Sequence, residues 1–272
     1  MRYYLNGSLH EEGTAAITPD DRGLTLGDGA FETIAVRGGQ AMRLDWHLER
    51  LAHALSVLAF PARPGHEDLE AAVTAAVQGN ALDAGVVRLT VTRGPGARGL
   101  RLPAETRPNV LATASEGLPP MHPIRLLVSQ RVRRNEQSPL SGIKSISYLD
   151  NVLARIEAEA AGADEALLLN TQGRVAEAAT ANVFAVIGGA VVTPPVGEGC
   201  LPGIARRALM EPLAVEERRL QQDDLLAANE VFLTSSLGAR SVSTIDSRPI
   251  GQKTEVAVAG KAQAILCETE AG

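Results

Sequence analysis

The sequence predicts a mixed α/β protein of two domains. Over the first hundred residues, β-branched stretches of strand length alternate with stretches of helical apolar spacing. Strands and helices resume after residue 124. Between the two runs lies EGLPPMHP (116–123), with three prolines and a glycine in eight positions, a composition that breaks both helix and sheet. The expected division is a small N-terminal α/β domain over 1–117, a linker at 118–123 and a larger C-terminal domain over 124–272. The 272-residue chain is 45% hydrophobic but only 3% aromatic, so its cores must be built from Ala, Leu and Val.

Taken in order, residues 30–37 read as a strand, followed by a Gly38-Gly39 turn and a short return strand. Asp45 is the expected N-cap of a helix whose Leu48, Leu51, Ala52, Leu55 and Leu58 share a face, with Pro61 and Pro64 ending it. A second helix is expected over 67–79, and strands over 86–92 and 110–114. Beyond the linker the pattern predicts a strand at 124–129 and a helix near 148–161. Strands follow at 165–169, 182–187 and 190–193, the last two joined by the Gly188-Gly189 turn. Helices at 203–210 and 223–228, a strand at 230–234 and a terminal helix from 256 complete the series.

A formal net charge of −6 and the lack of a basic cluster argue against nucleic acid as partner. The nearest run, Arg131, Arg133 and Arg134, reads as a solvated strand end. The N-terminus has no apolar signal core, and no stretch of about 18 apolar residues suggests a membrane span. Cys200, Cys267 and five scattered histidines make no metal-ligand spacing. A cytoplasmic protein with no metal site is the expectation.

Residues 94–99, GPGARG, match G-x-G-x-x-G, but a dinucleotide loop needs a helix to follow so that its N–H groups meet a pyrophosphate. Here Pro103 and Pro108 prevent one. What remains is a glycine loop carrying Arg98 past a strand end, either a solvated turn or a mount from which a guanidinium meets a carboxylate.

Lysine usage singles out one position. Of 26 basic residues only Lys144, Lys253 and Lys261 are lysines, so Lys144 stands alone in the first 252 positions. It lies just before a helix. Glu177 follows at a strand–loop junction among small residues. The loop GCLPG leads into the 203–210 helix with Pro202 in its first turn, leaving backbone N–H groups suited to a phosphate. Ser235-Ser236 forms a second small-residue loop at a strand end. Together these are an amine that can trap a carbonyl, a carboxylate and two phosphate-sized cradles.

Seven segments in order, RGLTLGDGAFET (22–33), HLERL (47–51), VTRGPGAR (91–98), GIKSISYLDNVLA (142–154), AEAATANVF (176–184), LPGIAR (201–206) and FLTSS (232–236), make the chain resemble the fold-type IV pyridoxal-phosphate enzymes. These are the class IV aminotransferases, which include branched-chain and D-amino-acid transaminases, (R)-amine transaminases and 4-amino-4-deoxychorismate lyase. The resemblance implies a C-terminal domain with a β-barrel-like core and pyridoxal 5′-phosphate as cofactor. It also implies homodimers, with an active site between the two domains and the partner subunit closing it. It implies that Lys144 condenses with the cofactor aldehyde and moves the substrate proton, a role needing a neutral amine that arginine cannot supply. Glu177 is implied at the pyridine nitrogen and Arg50 at the phosphate. Leu201, the N–H groups of Ile204 and Ala205, and Ser235 and Ser236 are implied to complete the cofactor site. Phe31, Thr33 and Arg98 are implied at the substrate.

The reaction divides along the same motifs. Phe31 and the glycine–arginine pattern around Arg98 resemble the lyases, which form 4-aminobenzoate and pyruvate, yet Leu100 and Ser235 depart from the lyase Tyr and Asn. VTRGPGAR is close to the D-amino-acid transaminases, and the branched-chain signatures are poorly matched. The expectation is transamination between a D-amino acid or (R)-primary amine and a 2-oxo acid, with the lyase as alternative.

Overall fold

The computed structural model describes residues 1–251 and 258–268. Its contacts divide them into two units. One is formed by Met1–Pro119 with Ile143–Ser147, the other by Pro120–Gly142 and Tyr148–Glu268. The segment Ile143–Ser147 thus packs with the first unit although the chain on either side belongs to the second.

The first unit is a six-stranded sheet in the order β2-β1-β6-β5-β3-β4, antiparallel at every pairing. Its strands are β1 (Tyr3–Leu5), β2 (Ser8–His10), β3 (Gly29–Arg37), β4 (Gln40–Ala41), β5 (Gly85–Thr92) and β6 (Asn109–Glu116). Helices α2 (Leu44–Val57) and α3 (His66–Gly79) pack on one face, and a short α1 (Arg22–Leu26) precedes β3. Because side chains alternate along a strand, Ile34 and Val36 of β3 and Val87, Leu89 and Val91 of β5 join Leu48, Leu51, Leu55, Leu69, Val73 and Ala76 of the helices in one core. Phe31, Thr33, Arg88 and Thr90 then fall on the opposite face, with Phe31 paired to Thr90 and Thr33 to Arg88.

The second unit is a nine-stranded mixed sheet in the order β12-β11-β10-β13-β14-β7-β8-β9, with β15 also on β14. The strands are β7 (Ile124–Val128), β8 (Glu165–Leu169), β9 (Val175–Ala178), β10 (Asn182–Ile187), β11 (Ala190–Thr193), β12 (Glu216–Glu217), β13 (Glu230–Ser235), β14 (Gly238–Ile245) and β15 (Arg248–Pro249). The helices are α4 (Leu149–Ala160), α5 (Ile204–Met210), α6 (Gln222–Leu226) and α7 (Val258–Cys267). β7, α4 and β8 form a parallel crossover.

Strands β9 and β10 are five positions apart in this sheet, which in a flat sheet is roughly 24 Å. Yet only residues 179–181 join them, and a link of that length reaches at most about 14 Å. The Ala178 N–H donates to Ala181 O across this turn at 2.8 Å, so the sheet must curl back on itself. That is the barrel-like core expected of this part of the chain. Outside it, Phe184 and Phe232 stack with centroids 5.1 Å apart beneath Leu209 of α5 and Ala259, Ala262 and Leu266 of α7.

Most predicted elements stand within a residue or two of their places, and three details differ. Arg43, not Asp45, is the N-cap of α2, in the left-handed region at φ 52°; Asp45 sits in the first turn, where its charge still favours the helix N-terminus. The helix ends at Val57, before Pro61, because Ala59 takes φ 53° and turns the chain away. Gly203, not Pro202, borders α5, so the proline lies outside the first turn. The expected start of the last helix at 256 lies outside the described residues.

Phe184 is fully buried. Phe184→Ala is expected to lower stability by about 3–5 kcal/mol through the cavity left against Phe232, read as a fall in the midpoint of urea unfolding.

Candidate active site

In the first unit the sequence folds Lys144 onto a sheet edge. β4 covers only the C-terminal end of β3, pairing at Val36 and Arg37, so the edge at Gly29–Phe31 is left for another segment. Residues 144–146 take it: the Phe31 N–H donates to Lys144 O at 2.9 Å and the Ile146 N–H to Gly29 O at 3.0 Å. Gly27 makes room for this arrangement, since a Cβ there would meet Ser147 Oγ at 2.3 Å. The Lys144 ammonium nitrogen then lies 4.3 Å from the centroid of the Phe31 ring. The Arg88 guanidinium carbon lies 3.7 Å from the same centroid.

One residue further along β3, alternation turns Glu32 to the helix side of the sheet. Residues 47 and 50 are one turn apart on α2 and reach it together. His47 Nδ1 lies 2.6 Å from Glu32 Oε2. Arg50 grips the carboxylate with two bonds, Nε to Oε1 at 2.8 Å and the terminal nitrogen to Oε2 at 2.6 Å. Glu32 and His47 are both fully buried. Burial opposes the charge on Glu32, but Arg50 and His47 outweigh it and hold the carboxyl at about 2. Burial pushes the His47 imidazole down, against the pull of Glu32, and the charges of Arg50 and Lys144 add to that effect.

The glycine loop is docked, not loose. The Arg22 N–H donates to Gly94 O at 2.9 Å and the Gly96 N–H to Asp20 O at 3.0 Å. The Arg22 guanidinium reaches Gly99 O and Arg101 O at 3.2 and 3.3 Å. A Cβ on Gly96 would strike Arg22 Cδ at 2.7 Å, and one on Gly94, at φ 82°, would sit 1.9 Å from Arg107 O. Arg22 and Arg93 share Asp28 Oδ2, at 2.8 and 2.7 Å. Against the cost of burial, these two arginines hold the Asp28 carboxyl below its usual range. Arg93 also lies over the Phe60 ring. Arg98 stands exposed at the tip.

In the second unit Glu177 lies within β9, not at a strand–loop junction, and is 6% exposed. Arg134 Nε approaches its Oε1 at 3.0 Å, and the Leu201 N–H donates to Oε2 at 2.9 Å. The Leu201 carbonyl accepts from Asn182 Nδ2 at 2.8 Å. Ile204 and Ala205 open α5, whose border residue Gly203 brings no side-chain cap. A Cβ on Gly203 would meet Asn182 Oδ1 at 2.0 Å, so residue 203 cannot supply a capping side chain. Ser235 ends β13, its hydroxyl accepting from the Leu237 N–H at 3.2 Å, and Ser236 begins the turn after it. Burial pushes the neighbouring Cys200 thiol up to about 12, which leaves it unreactive near neutral pH.

Residues 29–245 match the family model described as amino-transferase class IV. The chain belongs to the class IV aminotransferase family. It is 35% identical to a Methanocaldococcus jannaschii protein assigned as a branched-chain-amino-acid aminotransferase, over 93% of this chain and 91% of that one. It is 32% identical to the aminodeoxychorismate lyase of Bacillus subtilis, over 86% and 83%, and 30% identical to the D-alanine aminotransferase of Bacillus licheniformis, over 92% and 90%. Among solved structures, the T.th. branched-chain amino acid aminotransferase with pyridoxamine 5′-phosphate superposes with a TM-score of 0.90 at 28% identity, covering 97% of this chain and 92% of that one. The protein is a pyridoxal 5′-phosphate-dependent enzyme of fold type IV. No helix among its described residues is long and apolar enough to cross a membrane.

Within this aminotransferase, the site residues expected from the sequence divide between the units. Lys144, Phe31, Thr33, Arg50 and Arg98 lie in the first, and Glu177, Leu201, Ile204, Ala205, Ser235 and Ser236 lie in the second. Arg134, expected on a solvated strand end, is instead ion-paired to Glu177. Nothing in the basic run itself marks it: only the fold leaves Arg131 and Arg133 exposed and Arg134 partly buried. His47, one of the scattered histidines, has a carboxylate and not a metal for its partner, so metal-ligand spacing does not reveal it. Arg88 is masked in the sequence by the β-branched neighbours that mark its strand.

Glu32 gives a pH test. Its folded pKa lies below the ordinary 4.5, so its contribution is fully present above about pH 4.5 and is lost as pH falls towards 2. The shift corresponds to about 3 kcal/mol. Denaturant unfolding of Glu32→Gln should show a deficit of that order at pH 6 that shrinks as pH falls below 4.5.

Proposed function

We propose that this aminotransferase moves an amino group between a D-amino acid or (R)-primary amine and a 2-oxo acid, with Lys144 as the catalytic amine. The observation that carries the transfer reading is the fixing of Lys144 by its own backbone to the edge of β3, with its ammonium against Phe31. Bound pyridoxal 5′-phosphate supplies an aldehyde for the amino group and a ring that spreads negative charge from the substrate Cα. Lys144, as a neutral amine, takes up and returns the proton of that carbon.

The residues present suit the cofactor. Glu177 is a buried carboxylate for the ring nitrogen, fixed by Arg134 and the Leu201 N–H; Leu201 serves the cofactor through that bond. The uncapped N–H groups of Ile204 and Ala205 and the hydroxyls of Ser235 and Ser236 suit a phosphate. Arg50, steadied by Glu32, adds a guanidinium for the same anion. Phe31 and Thr33 line the substrate, and Arg98, on its docked loop, meets a substrate carboxylate.

The D-amino-acid reading is supported by VTRGPGAR and by the D-alanine aminotransferase relative. Branched-chain amino acids are a second reading, favoured by the higher identity to the M. jannaschii protein. The lyase relative supports the third, 4-aminobenzoate and pyruvate formation. Purified protein should carry the yellow absorbance of lysine-linked cofactor, and Lys144→Ala should lose it. D-Alanine should bleach the colour and release pyruvate. Bleaching by leucine alone would favour the second reading, and 4-aminobenzoate from 4-amino-4-deoxychorismate without bleaching by D-alanine would favour the third.

We also propose a homodimer. Leu149, Val152, Leu153 and Ile156 form one exposed apolar stripe along α4, a face suited to a second copy of itself. Sedimentation should give a dimer, and Val152→Glu with Ile156→Glu should give a monomer.

A further inference from the structure

We propose that Asn182 is a positioning residue for the cofactor: by holding the Leu201 carbonyl it fixes the loop whose Leu201 N–H aims the Glu177 carboxylate. The inference deepens the transaminase reading and rests on Glu177 being the acid that meets the cofactor ring nitrogen.

Three observations carry it. First, Asn182 is 5% exposed and opens β10, where a buried amide is costly unless hydrogen bonds match it. Its Nδ2 donates to Leu201 O at 2.8 Å. Second, the N–H of the same Leu201 donates to Glu177 Oε2 at 2.9 Å. One residue of the loop thus has its N–H on the acid and its carbonyl on the amide. Third, Glu177 and Asn182 are mounted on one braced piece of chain. They flank the turn between β9 and β10, which is closed by the Ala178 N–H on Ala181 O at 2.8 Å. Asn151 Nδ2 of α4 ties the same turn by donating to Ala179 O at 2.6 Å.

The arrangement works as a clamp. Residues 199–203 read Gly-Cys-Leu-Pro-Gly, and Pro202 has no N–H with which to brace the stretch. Side chains from elsewhere hold its backbone instead. Arg134 Nε donates to Gly199 O at 3.1 Å, Glu177 takes the Leu201 N–H, and Asn182 takes the Leu201 carbonyl. Arg134 also pairs with Glu177 Oε1 at 3.0 Å, so both oxygens of the acid meet groups that belong to the loop or grip it. Asn182 is the uncharged support of the three. Gly203 lets its amide come this close, since a Cβ there would meet Asn182 Oδ1 at 2.0 Å. Without Nδ2, Leu201 O loses this donor and the loop can turn at Leu201. The N–H then leaves Oε2, and the carboxylate regains rotamer freedom that weakens its aim.

The experiment is a double-mutant cycle on wild type, Asn182→Ala, Glu177→Ala and the pair. Asn182→Thr is added as a variant that suits a strand and ends short of Leu201 O. The dissociation constant of pyridoxal 5′-phosphate and the absorbance maximum of the lysine-linked cofactor are measured for each, with urea unfolding as the control for folding. Asn182→Ala and Asn182→Thr should each weaken cofactor binding by roughly ten-fold. Both should move the absorbance maximum in the direction that Glu177→Ala moves it. In the Glu177→Ala background the same changes should have less than about a two-fold effect, because the carboxylate they act through is gone. Wild-type affinity and absorbance in both Asn182 variants overturn the proposal, even where the urea midpoint falls. Equal weakening with and without Glu177 overturns it too, since Asn182 would then act on the cofactor by another route. Unchanged cofactor affinity in Glu177→Ala would instead defeat the role given to Glu177, and a wild-type protein without lysine-linked absorbance would defeat the transaminase reading itself.

Discussion

The structure depends first on how the open edge of β3 is closed. A strand edge offers unpaired N–H and C=O groups, and here β4 is too short to cover more than two residues of it. The chain returns from more than a hundred residues away to supply the missing pairs, through Lys144 O and the Ile146 N–H. Main-chain bonds of this kind fix the backbone of Lys144 before its side chain does anything. The root of the Lys144 side chain is therefore held by sheet geometry, and its ammonium lies against the Phe31 ring. Gly27 at the approach follows from the same closeness, since a Cβ there would meet Ser147 Oγ at 2.3 Å, while a Cβ on Gly29 would strike Val91 O of β5 at 2.4 Å.

Beneath that edge, charge is organised by pairing buried carboxylates with arginines. Glu32 takes Arg50, and Asp28 takes Arg22 and Arg93. A buried carboxylate without partners would be costly, and one gripped by a planar fork is not. The consequence is directional. Glu32 ties Arg50 to the sheet, while Arg22, anchored on Asp28, reaches up to the carbonyls of the glycine loop. At Glu32 the acid is the deeper partner, whereas Arg22 and Arg93 are more buried than the Asp28 they share. In the second unit the order is reversed: Arg134 and the Leu201 N–H secure Glu177, so a cation and an amide steady the acid.

Much of this is legible in the sequence where one residue does one thing. Lys144 stands out by composition, Glu177 by its small neighbours, and the start of α5 by its glycines. The strands follow from their β-branched runs because period-two burial leaves a plain mark. Short strands such as β1 and β2 leave none, being three residues each with mixed exposure. Partnerships are also illegible. Nothing local to His47 announces Glu32, fifteen positions earlier, and nothing in Arg93 announces Asp28, because those pairs exist only once β3, β5 and α2 are stacked. The GPGARG loop is the sharpest case. Its glycines suggest mobility, whereas they allow close approach to Arg22 and Arg107 and so hold the loop down.

The uneven use of basic residues then acquires a physical reason. Arg22, Arg50, Arg93 and Arg134 each bond a carboxylate while keeping a fixed plane. That task suits a group which never gives up its proton and which carries donors along rigid edges. A lysine in any of these places would keep the charge and lose the second bond. The role proposed for Lys144 asks the opposite, an amine able to lose a proton and bond carbon, which an arginine cannot supply. One aromatic ring, Phe31, thus has both kinds of cation against it, Arg88 at 3.7 Å and Lys144 at 4.3 Å, and of the two only the lysine can give up its proton.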